Sequence, residues 1–72
     1  MSLDLRGLFC PEPVFRIKLA LKTIPVNDEM QVMTDDPISE VEVQEWAKQN
    51  GHQVLRIAHQ EKDILFLIRR CH

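Results

Sequence analysis

The chain has 72 residues, enough for one small domain near the lower size limit for unassisted folding. Hydrophobic residues make up 44% and charged residues 28%, a balance typical of a globular rather than a disordered protein. The net charge is -2 and no basic block occurs, so no direct binding to nucleic acid is expected. Without an apolar run of membrane-spanning length or a signal peptide, the expectation is a soluble cytoplasmic protein with no membrane partner.

Cysteine usage bears on the compartment. The chain has two cysteines, Cys10 and Cys71. Two cysteines make a poor disulfide framework for a small secreted protein, and no export signal accompanies them. Both thiols are therefore expected to be reduced.

The first half of the chain predicts a strand, a helix and a second strand. Residues 2–6 alternate polar and apolar side chains, the period of a half-buried strand, and Gly7 ends that strand. The first helix follows Cys10 and runs to about Thr23, where Pro25 stops it. Residues 29–34 form the second strand. The helix has a buried apolar stripe at a spacing of three and four, made of Val14, Ile17, Leu21 and Ile24.

The second half predicts a helix and two strands. Asp35-Asp36-Pro37 marks a helix start, with an aspartate cap and a proline in the first turn. The second helix runs from Pro37 to Asn50 and stops at Gly51. Residues 53–59 and 64–68 form two strands joined by a tight connection. The last strand is apolar on both faces, which favours a central position in the sheet.

These elements follow the order βαβαββ. The economical way to cover both helices is an α+β two-layer sandwich, with the two helices on one face of a four-stranded mixed sheet. If the first two strands pair in parallel, their crossover is right-handed. No repeat, linker or low-complexity segment divides the chain, so residues 1–72 are expected to form a single domain.

The stretch Cys10-Pro11-Glu12-Pro13 is the candidate functional site, because it puts a thiol at the start of a helix. Pro11 pushes Cys10 towards the extended conformation of an N-cap residue. Pro13 biases Glu12 away from the helical region in the same way, so the alternative is a helix that begins only at Pro13, with Cys10 one step outside the cap. Unpaired N–H groups and the helix dipole favour a thiolate at an N-cap. The prolines remove two N–H donors, leaving those of Glu12 and Val14, and the Glu12 carboxylate opposes the effect. We therefore expect a rigid mount that presents Cys10, more than an activator of its thiol.

Two nearby side chains have alternative interpretations. Arg16 lies one turn beyond Glu12, and a solvated side chain is favoured over an ion pair with that carboxylate. Phe9 beside Cys10 is a candidate contact for a partner protein, and packing within the loop is an equal alternative.

Other polar residues have structural explanations. Asp4 and Gly7 fit a strand end and a turn, and capping accounts for Asp35 and Asp36. The three histidines match neither a zinc-site spacing nor a catalytic triad, so no metal is expected. Cys71 is expected in a frayed tail.

Together, Asp4-x-x-Gly7-x-x-Cys10-Pro11-Glu12-Pro13 and the later Asp35-Asp36-Pro37 resemble the TusA/SirA-like family of small sulfur-carrier proteins. The resemblance covers almost the whole chain. The family fold is a βαβαββ two-layer sandwich, similar to the C-terminal domain of translation initiation factor 3. By resemblance, Cys10 is the catalytic residue, and Asp4, Gly7, Pro11, Glu12 and Pro13 support the motif.

The resemblance implies a carrier without a cofactor rather than a stand-alone enzyme. In the family, the cysteine matching Cys10 accepts a sulfane sulfur as a persulfide from a cysteine desulfurase or a rhodanese-like donor. It then passes the sulfur to a downstream acceptor protein. The leading route is 2-thiolation of the wobble uridine in tRNA; molybdenum-cofactor maturation, sulfur oxidation and selenium metabolism are the others.

Two functions of other classes compete with the carrier. The fold relationship to a translation factor suggests a nucleic-acid-binding or regulatory module, although fold alone is a weak warrant. A thiol redox protein using Cys10 and Cys71 is the other, and it requires the C-terminal tail to approach the first helix.

Overall fold

The computed structural model describes residues 2–9 and 11–72. Its elements are β1 (Ser2–Asp4), α1 (Glu12–Leu21), β2 (Glu29–Thr34), α2 (Pro37–Gln49), β3 (Gln53–Gln60) and β4 (Asp63–Arg69). The expected βαβαββ order is confirmed. Two bounds differ: β1 stops at Asp4 because a side-chain-bonded turn begins there, and α1 stops at Leu21 because residues 22–24 form a turn.

The four strands form one mixed sheet in the order β1-β2-β4-β3. Strand β1 pairs with β2 in parallel, whereas β4 pairs antiparallel with both β2 and β3. The central position expected for β4 is therefore confirmed. Its two faces differ in burial: Ile64, Phe66 and Ile68 face the core and are buried, whereas Leu65 and Leu67 on the other face are half-buried.

The core lies between the sheet and the two helices. Alternate residues of β2 and β4 point into it, and α1 packs against β2 and α2. Of the predicted α1 stripe, Val14 is half-buried and the other three residues are buried. The buried apolar side chains of the helices and of the two middle strands include Ile17, Leu21, Val43, Met30, Val32, Ile64, Phe66 and Ile68. Burial of this set is the main stabilising term for so small a fold.

The pairing of β2 with β4 shows which loops share an end of the sheet. Thr34 of β2 lies opposite Ile64 of β4, so the loops before α1 and α2 and the β3–β4 turn share one end, here called the motif end. Glu29 lies opposite Arg69, so the last turn of α1, the α2–β3 turn and residues 70–72 share the opposite end. Within the described ranges, neither helix has the length and apolar character needed to cross a bilayer.

Residues 70–72 are packed rather than frayed, contrary to the expectation for Cys71. The imidazole of His72 stacks on that of His52, with ring centroids 5.1 Å apart, and His52 stacks on Trp46 at 5.4 Å. The Cys71 N–H donates to Nδ1 of His52 at 3.2 Å. Because this bond needs an unprotonated Nδ1, it holds His52 in its neutral form.

The stability of the fold should depend on pH through His52. Burial, followed by the charges of His72 and Arg70, lowers the pKa of His52 from 6.5. The unfolded chain then binds more protons than the native protein as the pH falls below 6.5, so acidification destabilises the fold. We expect the free energy of unfolding in urea to fall between pH 7.5 and pH 5.5. In His52→Gln the decrease should be smaller, and an equal decrease in this variant would contradict the role of His52.

Candidate functional site

The turn that leads from β1 towards Cys10 is fixed by Asp4. Its carboxylate accepts from the Arg6 backbone N–H at 3.1 Å and from Nε and a terminal guanidinium nitrogen of the same residue at 3.0 and 2.9 Å. These side-chain and backbone bonds from Arg6 lower the pKa of Asp4. Arg6 also reaches Asp63 at 3.5 Å, which connects the turn to β4. Asp4 thus has the structural role expected of a strand end.

Gly7 continues this turn with a φ of +86°, where only glycine is unstrained. Its N–H donates to Oδ1 of Asp35 at 3.0 Å. The expected capping role therefore belongs to Asp36 alone, whose carboxylate accepts from the Ile38 N–H at 3.1 Å. Asp35 instead ties the Gly7 turn to the start of α2. The sequence alone does not distinguish the roles of these two adjacent aspartates. The partner of Asp35 is Gly7, 28 residues away, whereas the partner of Asp36 is Ile38, two residues away.

The start of α1 differs from the expected arrangement. Cys10 lies outside the described residues, and the N-cap position expected for it belongs to Pro11, with φ -96° and ψ 9° and no side-chain cap. The helix begins at Glu12, whose N–H donates to the Phe9 carbonyl at 2.9 Å. One of the two donors expected to face an anion at Cys10 is therefore already used. This favours the interpretation of the motif as a rigid mount over that of a thiol activator.

The two sides of the motif differ in burial. Pro13 is fully buried and anchors the first turn of α1, whereas Phe9 is 74% exposed and Pro11 is also exposed. The exposure of the Phe9 side chain excludes packing within the loop and leaves the interpretation of Phe9 as a contact for a partner protein. Glu12 pairs with Arg16 at 3.4 Å, so the ion pair is present where a solvated side chain was favoured. Both side chains of this pair are exposed, and such pairs contribute little to stability.

The alternative of a redox pair of Cys10 and Cys71 depends on Cys10, which lies outside the described residues. Cys71 lies at the end of the molecule opposite the motif end, beside His52.

Replacement of Gly7 should test the turn. Alanine at a positive φ is strained, so Gly7→Ala should lower the free energy of unfolding by about 1 kcal/mol or more. Gly7→Asn is the matched variant, because asparagine tolerates the left-handed region, and it should lose less stability. Urea denaturation measures both. Equal losses in the two variants would contradict the role of φ, since no atom lies within 4 Å of a Cβ added at Gly7.

Comparison with known proteins gives a family match over almost the whole chain. The family model described as Sulfurtransferase TusA matches residues 1–70. A sulfur carrier protein TusA of Buchnera aphidicola is 30% identical over 70 residues, which cover 97% of this chain and 89% of that protein. Another relative, from Archaeoglobus fulgidus, is 32% identical over 64 residues, 89% of this chain and 83% of that one.

A solved structure agrees with these relatives. The crystal structure of a SirA-like protein from Desulfitobacterium hafniense superposes with a TM-score of 0.85, at 28% sequence identity and with complete coverage of both chains. The α+β sandwich, the sequence motif at the end of β1 and the near-complete family match lead to one conclusion. The chain belongs to the TusA/SirA-like family of sulfur carriers.

Proposed function

We propose that this protein carries a sulfane sulfur on Cys10 as a persulfide, between a donor and an acceptor protein. The observation that carries the proposal is the anchoring of the chain on both sides of the motif, at Gly7 and at Pro13. The Gly7–Asp35 hydrogen bond holds one side of it, and buried Pro13 holds the other. Between these two anchors, both sequence neighbours of Cys10, Phe9 and Pro11, have exposed side chains.

The proposed transfer is an exchange between sulfur atoms. The Cys10 thiolate attacks the terminal sulfur of the donor persulfide, forming a new S–S bond. The S–S bond of the donor breaks, and the donor cysteine leaves as a thiolate. Release to the acceptor repeats the same exchange. No net oxidation occurs in either step, so the transfer needs no redox cofactor.

In this proposal the supporting residues act on the loop and not on sulfur. Asp4 and Gly7 set the turn, Pro11 and Pro13 restrict the start of α1, and Glu12 sits at its first position. The partners are a cysteine desulfurase or a rhodanese-like donor and a downstream acceptor. Exposed Phe9 supplies apolar contact area for such transient complexes. We place the relay in the cytoplasm, where thiols are kept reduced.

Sulfur loading can be measured directly. After incubation with a cysteine desulfurase, cysteine and pyridoxal phosphate, intact mass spectrometry should show a gain of one sulfur that reductant removes. The gain should be absent in Cys10→Ser. It should persist in Cys71→Ser, the matched control with the other thiol removed.

Two results would contradict the carrier. One is the absence of a sulfur adduct with both a desulfurase and a rhodanese-like donor. The other is an adduct of equal yield in Cys10→Ser, which would place the sulfur on Cys71.

For the pathway, we propose delivery to 2-thiolation of the wobble uridine in tRNA. In a bacterial host that lacks its own carrier for this reaction, expression of the chain should restore 2-thiouridine in hydrolysed tRNA, measured by liquid chromatography and mass spectrometry. Cys10→Ser should not restore it. If the chain loads sulfur in vitro but leaves 2-thiouridine absent, the carrier function stands and this pathway is wrong.

A further inference from the structure

A cleft lies at the end of the molecule opposite the motif end. It has a volume of about 180 Å³ and lies between α1, the end of α2 and residues 70–72. It is lined by Lys18, Leu21, Lys22, Trp46, Asn50, His52, Arg70 and His72. These residues supply three permanent cations and two imidazoles, and none of them is acidic. Such a lining is unexpected in a chain whose net charge is -2.

None of the cations of this cleft pairs with an acidic side chain of the described residues. The ion pairs formed within residues 2–9 and 11–72 use Arg6, Arg16, His59 and Arg69. Lys18 and Lys22 lie on the exposed side of α1. Arg70 donates to the Ile24 carbonyl and to a main-chain oxygen of His72, the last residue of the sequence. The Ile24 carbonyl is a neutral acceptor, which orients the guanidinium and leaves its charge in place.

The imidazoles of the cleft are also held in position. His72 bonds through Nε2 to the Asn50 carbonyl at 2.6 Å, and its ring stacks on His52. A Cβ at Gly51 would lie 2.6 Å from His72 Nε2, so this glycine leaves room for the ring. The charges of Arg70 and His72 both contribute to the lowered pKa of His52, after burial. That pKa reports a positive potential within the cleft, which an anion would offset.

We propose that this cleft binds a small tetrahedral oxyanion of the phosphate and sulfate class. Lys18 and Lys22 reach it from α1, Arg70 and His72 from the C-terminal segment, and His52 from the start of β3. The volume exceeds that of several water molecules at about 30 Å³ each, so the ion enters with part of its hydration shell. This site is independent of sulfur loading on Cys10.

Trp46, the only tryptophan of the chain, provides the readout because it lines the cleft. Its fluorescence should change saturably when the full chain is titrated with sodium phosphate or sodium sulfate at constant ionic strength, with sodium chloride making up the difference. The double variant Lys18→Gln/Lys22→Gln should bind about tenfold more weakly, because two charged donors are lost. The single variant Lys22→Gln should also bind more weakly than the unaltered chain. Its matched control is Lys62→Gln, which removes an exposed lysine at the motif end and should leave binding unchanged.

Two results would overturn the site. One is a non-saturating signal equal to that of chloride. The other is equal weakening of binding in Lys62→Gln and Lys22→Gln. Circular dichroism spectra establish that each variant is folded.

Discussion

The hydrogen bond from the Gly7 N–H to Asp35 is the contact on which the candidate site depends. It joins two loops that leave neighbouring parallel strands, each on its way to a helix. Together with the Arg6 bonds to Asp4 and Asp63, it ties residues 5–9 to both the start of α2 and β4.

Much of this architecture could be predicted from local patterns. The element order, the central position of β4 and the Asp36 cap follow from periodicity and from residues adjacent in the chain. The role of Asp35 could not be predicted, because its partner, Gly7, is distant in the sequence. Helix capping is also a sufficient explanation, on sequence alone, for both aspartates before Pro37. The sequence leaves the start of α1 open between two positions, because Pro13 disfavours a helical Glu12. The hydrogen bond from the Glu12 N–H to the Phe9 carbonyl begins the helix at Glu12, with Pro11 as its cap.

The C-terminal segment shows a different limit. Nothing in the spacing of His52 and His72 indicates that their rings meet, and a terminal Cys-His pair is ordinarily mobile. Their contact arises because β4 ends beside the α2–β3 turn, which is a property of sheet register. The same register separates the two chemically distinctive regions of the molecule. Phe9 and Pro11 lie at one end of α1 and the basic cleft lies at the other, so each end has its own surface for contact with other molecules.

The strand order has a consequence for folding of the protein. Because β4 lies between β2 and β3, the parallel β1–β2 pair has no partner on its inner edge until residues 63–69 are available. Strands of three and six residues cannot form a stable sheet on their own. Pairing of β2 with β4 closes a loop that contains α2 and β3, so the sheet is completed by a contact between distant parts of the chain, which slows folding.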